Sequence, residues 1–288
     1  MKKVTIKSTR MLTGVASMLE AFGHDTEDHI IALGMEAPYL FLRNDGDFVA
    51  GTSLFRPQWL NLYLHTIGFH LSQTTLSKED VPDFLRQQRT ALLPVHLSKG
   101  DSALQPMVFT GLAHGRFILH SLHPEHSEQV AFTATQLLTH LPDSLSLYLL
   151  EEIAPQPTYF LPYLGESLRN LSMFWVDFQQ MLNMTVTRQE YQALQKSHLR
   201  ALMHDFLPVA LLKHDEMLTS ELKIANYFYE GVFQPHSATQ VLLRNKFPSV
   251  FIKNCVHWLK EEITDRLYEL GATDEIVESY LYPTKDQY

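Results

Sequence analysis

The sequence predicts an α+β protein: a mixed helix-and-strand part over residues 1–153, an all-helical part over 164–288, and a proline-rich linker, APQPTYFLPY, over 154–163. Three observations lead there. The segment PMVFTGLAHGRFILHSLHP alternates about the turn signal Ala113-His114-Gly115, as an antiparallel hairpin does. Beyond Pro155 the apolar residues fall on helical faces instead. Between the two regimes, three prolines in ten residues remove backbone donors and stop a helix from propagating.

In order along the chain, Leu12, Val15, Ala16, Leu19 and Phe22 recur at helical spacing, with Ser8 or Thr9 as cap and Gly23 as terminator. Thr26 is placed to cap a short second helix, EDHIIALG, that stops at Gly34. Strands are expected at Tyr39 to Leu42 and Phe48 to Ala50, around the turn Asn44-Asp45-Gly46. Pro57 suits the first position of a helix PQWLNLYLHTIG, and Ser77 with Asp80 makes a cap-like start for EDVPDFLRQQRTA. A strand from Leu92 to Leu97, the hairpin, a helix from Thr133 to Leu141 and a strand from Leu145 to Leu150 close the first part. The second part offers SLRNLSMFWVDFQQML, RQEYQALQKSHLRALM, ELKIANYFYEGVF and SVFIKNCVHWLKEEITDRLYELG as helices of a bundle.

Composition excludes several functions. A formal charge of −9 provides no basic stripe for a phosphate backbone, so nucleic acid is not an expected partner. No run approaches the roughly 20 apolar residues of a membrane span, and the start MKKVTIKSTR lacks the apolar core of a signal peptide. A single cysteine, Cys255, excludes an internal disulfide. The expectation is a cytoplasmic protein without a membrane partner.

Clusters that could carry chemistry each have a plainer explanation. His120, His123 and His126 recur by threes, with Glu125 and Glu128 nearby, but Pro124 interrupts any helix that would align them for a metal. His198, His204 and His214 lie beside helices without a Glu-x-x-His pair, so no metal is expected there either. Glu151 and Glu152 are adjacent on a strand and so point to opposite faces. The Gly111 to Gly115 stretch lacks the Lys-Ser/Thr of a phosphate loop, and the aromatic run Tyr227, Phe228, Tyr229 and Phe233 has the composition of a core. Cys255 beside Trp258 on an apolar helix is placed as a small buried hydrophobe. No cofactor is implied.

Three motifs carry a family resemblance: MLTGVASMLEAFGHDTEDHIIALGMEAPYLF, PVHLSKG, and PMVFTGLAHGRFILHSLHP. Over roughly residues 8–150 their order resembles the papain-like fold of bacteriocin-processing cysteine peptidases, and more closely the butirosin biosynthesis protein H N-terminal family. The resemblance implies a nucleophile at the start of the first buried helix, a histidine opening the first hairpin strand and an acidic or amide residue ending the second. Carried onto this chain, those places hold Arg10 or Thr13, then Gln105, then Leu122 or His123. None of these makes a base-activated thiolate. The resemblance therefore implies a non-thiol, degenerate member of an acyl-transfer family. It would be an accessory protein of amino-acid- or peptide-derived natural-product biosynthesis, binding a small acyl or peptidyl substrate or a carrier protein over Arg10, Thr13 and Gln105. Two alternatives stand beside it. One is an acyltransferase or amidohydrolase using Thr13 or water, with His123 at the third place or a base such as His65, His70 or His96. The other is a homodimeric interaction protein or a histidine-based metalloprotein.

Overall fold

The computed structural model describes residues 10–44, 47–50, 54–96, 103–122, 129–183 and 247–282. The chain divides into two compact units, residues 1–35 with 55–158, and residues 36–54 with 159–288.

The first unit opens with α1 (Met11–Ala21), whose buried stripe runs from Leu12 to Leu19, and α2 (Asp28–Gly34). Gly23 adopts φ +82° just past the end of α1, a conformation that favours glycine. The first cap of α1 is Arg10, without a side-chain bond to the backbone, and Ser8 and Thr9 lie outside the described residues. Glu27, not Thr26, caps α2; the Thr26 hydroxyl is enclosed without a hydrogen-bond partner among the described residues. After α3 (Pro57–Leu64) and a 3-10 turn come β3 (Phe69–Ser77), α4 (Val81–Leu85), β4 (Ala91–His96), β5 (Leu104–Ala113), β6 (Arg116–Ser121), β7 (Gln129–Phe132), α5 (Ala134–His140) and β8 (Ser144–Glu152).

The six strands form one antiparallel sheet in the order β3-β8-β4-β5-β6-β7. The hairpin turns where expected, with His114 at φ +49° and Gly115 at φ +73°, the two positive angles that match the twist of the flanking strands. One face of the sheet carries Leu93, Val95, Phe109, Phe117, Leu119, Leu145 and Leu147, packed with Val81 and Leu85 of α4 and Leu137 of α5 into a continuous core. Thr133 caps α5, exchanging bonds with Gln136 in a complete capping box. The other face receives α1. Contact is close because residue 14 is glycine: a Cβ there would lie 2.9 Å from Leu92 Cδ2.

Several elements depart from the sequence expectation. Tyr39 closes a 3-10 turn (Ala37–Tyr39) instead of opening a strand, α3 ends at Leu64 before Gly68, and the helix Leu161–Asn183 starts inside the expected linker. β3 and β7 are strands without a strand pattern in the sequence, and α4 stops at Leu85 instead of running on towards Ala91. Thr90 directly precedes β4 and its hydroxyl donates to the Phe109 carbonyl, 2.7 Å away, tying the chain to β5 where the helix would have continued.

The second unit contains β1 (Phe41–Asn44) and β2 (Asp47–Ala50), which pair as an antiparallel hairpin, with α6 (Leu161–Asn183), α7 (Phe247–Glu269) and α8 (Asp274–Leu281). Residues 36–54, expected with the first part, cluster here for a specific reason. The Phe41 N–H donates to Ser167 Oγ at 2.8 Å and the Asn170 side chain donates to the Phe41 carbonyl at 3.0 Å, so helix α6 caps the edge of the hairpin. Phe41, Phe48 and Phe174 pack ring to ring beside those bonds. Glu36, at φ +57°, receives Arg266 of α7 bidentately, with Nε 2.9 Å from Oε2. The Tyr280 ring of α8 covers Gly165 so closely that a Cβ would sit 2.1 Å from its Cζ. The segments RQEYQALQKSHLRALM and ELKIANYFYEGVF lie outside the described residues, as does the Cys255 side chain. No described helix is long and apolar enough to cross a membrane.

Candidate functional site

The head of α1 and the start of β5 are brought together by the packing of α1 on the sheet. Arg10 Nη1 donates to Gln105 Oε1 at 2.6 Å, across 95 residues of sequence. The two residues placed at the nucleophile and base positions by resemblance are thus in direct contact, as a guanidinium and an amide. A guanidinium has no lone pair to attack a carbonyl, and an amide has none basic enough to take a proton.

Thr13, one turn further along α1, is separated from that pair by burial. It is 0% exposed, and its hydroxyl donates to Oδ2 of Asp28, also 0% exposed, at 2.9 Å. The His29 N–H donates to the other oxygen, Oδ1, at 2.8 Å. Thr13 therefore ties α1 to α2. His123 lies outside the described residues, and Leu122 at the neighbouring place is fully buried.

Arg10 forms one wall of a pocket of about 350 Å³, together with Met11, Leu92, Leu93, Pro94, Pro106, Ser146 and Tyr148. Pro94 and Pro106 face each other in the β4–β5 register, and Leu92 stands opposite Tyr148 of β8. Opposed prolines leave no N–H at either position, so that stretch of wall presents carbon to the cavity. The pocket is thus apolar, with hydroxyls at Ser146 and Tyr148 and one cation at Arg10. Gln105 does not line it; it holds the guanidinium from outside the cavity. Residue-type reasoning missed the prolines and Tyr148, although proline twice in strand-like sequence was the available signal.

Of the histidines considered as bases, His65 and His70 bind each other. Nε2 of His65 lies 2.9 Å from Nδ1 of His70, with the rings stacked 5.2 Å apart. Burial, and then the charge of His70, push His65 below its ordinary pKa of 6.5. His96 is two residues beyond Pro94 on β4, and its Nδ1 is enclosed without a hydrogen-bond partner among the described residues. Glu151 and Glu152 are both exposed. No group of three or more His, Cys, Asp or Glu among the described residues could hold a metal ion.

No family model matches the chain, and no curated protein matches it. Among solved structures, the peptidase domain of Streptococcus ComA, a bi-functional ABC transporter involved in a quorum sensing pathway, aligns over 54% of this chain and 97% of that chain, with 12% identity and a TM-score of 0.34.

Proposed function

We propose that the first unit is a papain-like domain whose thiol chemistry has been replaced by binding, and that the protein serves as an accessory factor holding an acyl or peptidyl group in amino-acid- or peptide-derived biosynthesis. The observation that carries this reading is the Arg10–Gln105 hydrogen bond at the two places the resemblance reserves for thiol and imidazole. Acyl transfer through a covalent intermediate needs a nucleophile and a base in contact; this pair supplies a cation and its support.

The mechanism that follows is one of recognition. Apolar walls from α1, β4, β5 and β8 take up a short aliphatic or aromatic group, and its burial supplies most of the binding free energy, about 25 cal/mol per Å² of apolar surface. Arg10 fixes the polar end, and Gln105 holds the guanidinium in one orientation, which lowers the entropy lost on binding. A carrier protein presenting the group on a flexible arm is one source; a free acyl or peptidyl compound is another.

The test is an assay of the full chain with an N-acetylcysteamine acyl thioester, following thiol release. The reading predicts no release above buffer, alongside saturable binding of the acyl group. Release that is lost in Thr13→Ala would replace it with the hydroxyl-nucleophile alternative. His96, whose Nδ1 has no hydrogen-bond partner among the described residues, lies on the strand that lines the pocket and favours a second reading in which it activates water. In that case release would persist in Thr13→Ala and vanish in His96→Gln.

A further inference from the structure

The pocket's chemistry narrows what it holds. Among the described residues that line it, Arg10 is the one charged side chain, and Leu92, Pro94, Pro106 and Met11 give it apolar walls. Its volume, about 350 Å³, lies near the lower end of the range of about 300–1,000 Å³ found for small-molecule sites, enough for a residue or two of peptide or a short acyl chain. β4 and β5 pair with each other along their length and lie inside the sheet, so neither offers a free edge to an extended chain. The polar groups of the lining are the Ser146 and Tyr148 hydroxyls and the Arg10 guanidinium, of which Arg10 alone can balance a negative charge.

Arg10 gives one N–H to the neutral Gln105 Oε1 and faces no carboxylate among the described residues. A guanidinium presents five N–H donors in a planar fork, so an edge remains that matches the two oxygens of a carboxylate. A single cation among apolar walls balances a single negative charge. A phosphate dianion would be left under-compensated in the same place, and a neutral amide would offer one acceptor oxygen and no opposite charge.

We propose that this pocket takes ligands ending in a free carboxylate, N-acyl amino acids or short C-terminal peptide acids, with Arg10 as the anchor and Gln105 as the residue that positions it. The proposal rests on the reading of the first unit as an acyl- or peptidyl-binding domain and names its ligand class.

The experiment is calorimetric titration of the full chain with N-acetylleucine and, separately, with N-acetylleucinamide, which differ only in the charged end. The acid is expected to bind about tenfold or more tightly than the amide. In Arg10→Met that ratio falls to near one, the acid losing more affinity than the amide, and Arg10→Lys restores part of it. Gln105→Leu, which leaves the charge in place, lowers the ratio by a smaller factor, a change of selectivity that general loosening of the fold, weakening acid and amide alike, would not give. Equal binding of acid and amide by the unmodified protein overturns the carboxylate proposal and leaves the acyl-binding reading intact. An acid preference that survives Arg10→Met also overturns it, by placing the anion elsewhere. Failure of both probes to bind overturns both readings.

Discussion

Replacing Thr13 by valine tests whether the hydroxyl at the head of α1 serves the fold or the chemistry. Valine keeps the β-branched shape, so no cavity opens; what is lost is one donor to a carboxylate. Thr13 and Asp28 are both 0% exposed and 2.9 Å apart, so water cannot take the place of the missing hydroxyl. A hydrogen bond to a charged group is worth about 1.5–3 kcal/mol, and leaving a buried acceptor short of a donor brings the cost towards the upper end. At about 2–4 °C per kcal/mol for a domain of this size, Tm should fall by about 5–10 °C. Differential scanning calorimetry of the wild type, Thr13→Val and Thr13→Ser measures it, with serine keeping the donor and most of the stability. Binding of N-acetylleucine at 15 °C, below either transition, should be unchanged in both variants. A Tm within a degree of wild type in Thr13→Val would refute the assignment of the hydroxyl to Asp28. Unchanged Tm with lost ligand binding or lost turnover would move Thr13 into the working site.

Other perturbations probe the remaining supports. Arg266→Met strands the Glu36 carboxylate, whose side chain is 9% exposed, and should cost about 2–3 kcal/mol in urea denaturation; a loss under about 0.5 kcal/mol would show that the bidentate pair adds nothing net. In Gly165→Ala the new methyl meets the Tyr280 ring, so hydrogen exchange should quicken across α8, residues 274–281, while β3 to β8 keep their protection; unchanged exchange in α8 would contradict the packing. His65 has a folded pKa below its unfolded value, so protonation favours the unfolded chain: its contribution is intact above pH 6.5 and is lost as pH falls through the folded pKa. The urea midpoint should therefore drop between pH 7.5 and 5.5, and drop less in His65→Gln; equal slopes in the two proteins would remove the His65–His70 pair as the cause.

The parts of the fold that were legible in the sequence are those specified locally. The β5–β6 hairpin announces itself because Ala113-His114-Gly115 supplies the residue types that tolerate positive φ, and α5 because Thr133 and Gln136 sit three apart as a capping box. β3 does not: its sequence FHLSQTTLS is mostly polar, and its strand conformation comes from nine paired positions with β8 that lie some 70 residues away. β7, with only four residues, has too little pattern to read. The placement of residues 36–54 depends on Ser167 and Asn170 reaching Phe41 from α6, more than 120 residues later, which no local pattern encodes. At the candidate site, Arg10 and Gln105 were found together through the family resemblance, and their contact gives that pairing a geometry. Thr13 was expected beside them because it shares the first turn of α1; its side chain is instead buried against α2, where its hydroxyl donates to Asp28. The pocket's proline-lined wall follows from the β4–β5 register, which the sequence does not state.

The central claim is that the first unit binds an acyl group without being acylated. Mass spectrometry of the full chain after incubation with an N-acetylcysteamine acyl thioester tests it directly, with native and denaturing spectra taken from the same sample. Binding without chemistry predicts a ligand mass in the native spectrum that disappears on denaturation. An acyl mass that survives denaturation and maps to a residue of the first unit would contradict it.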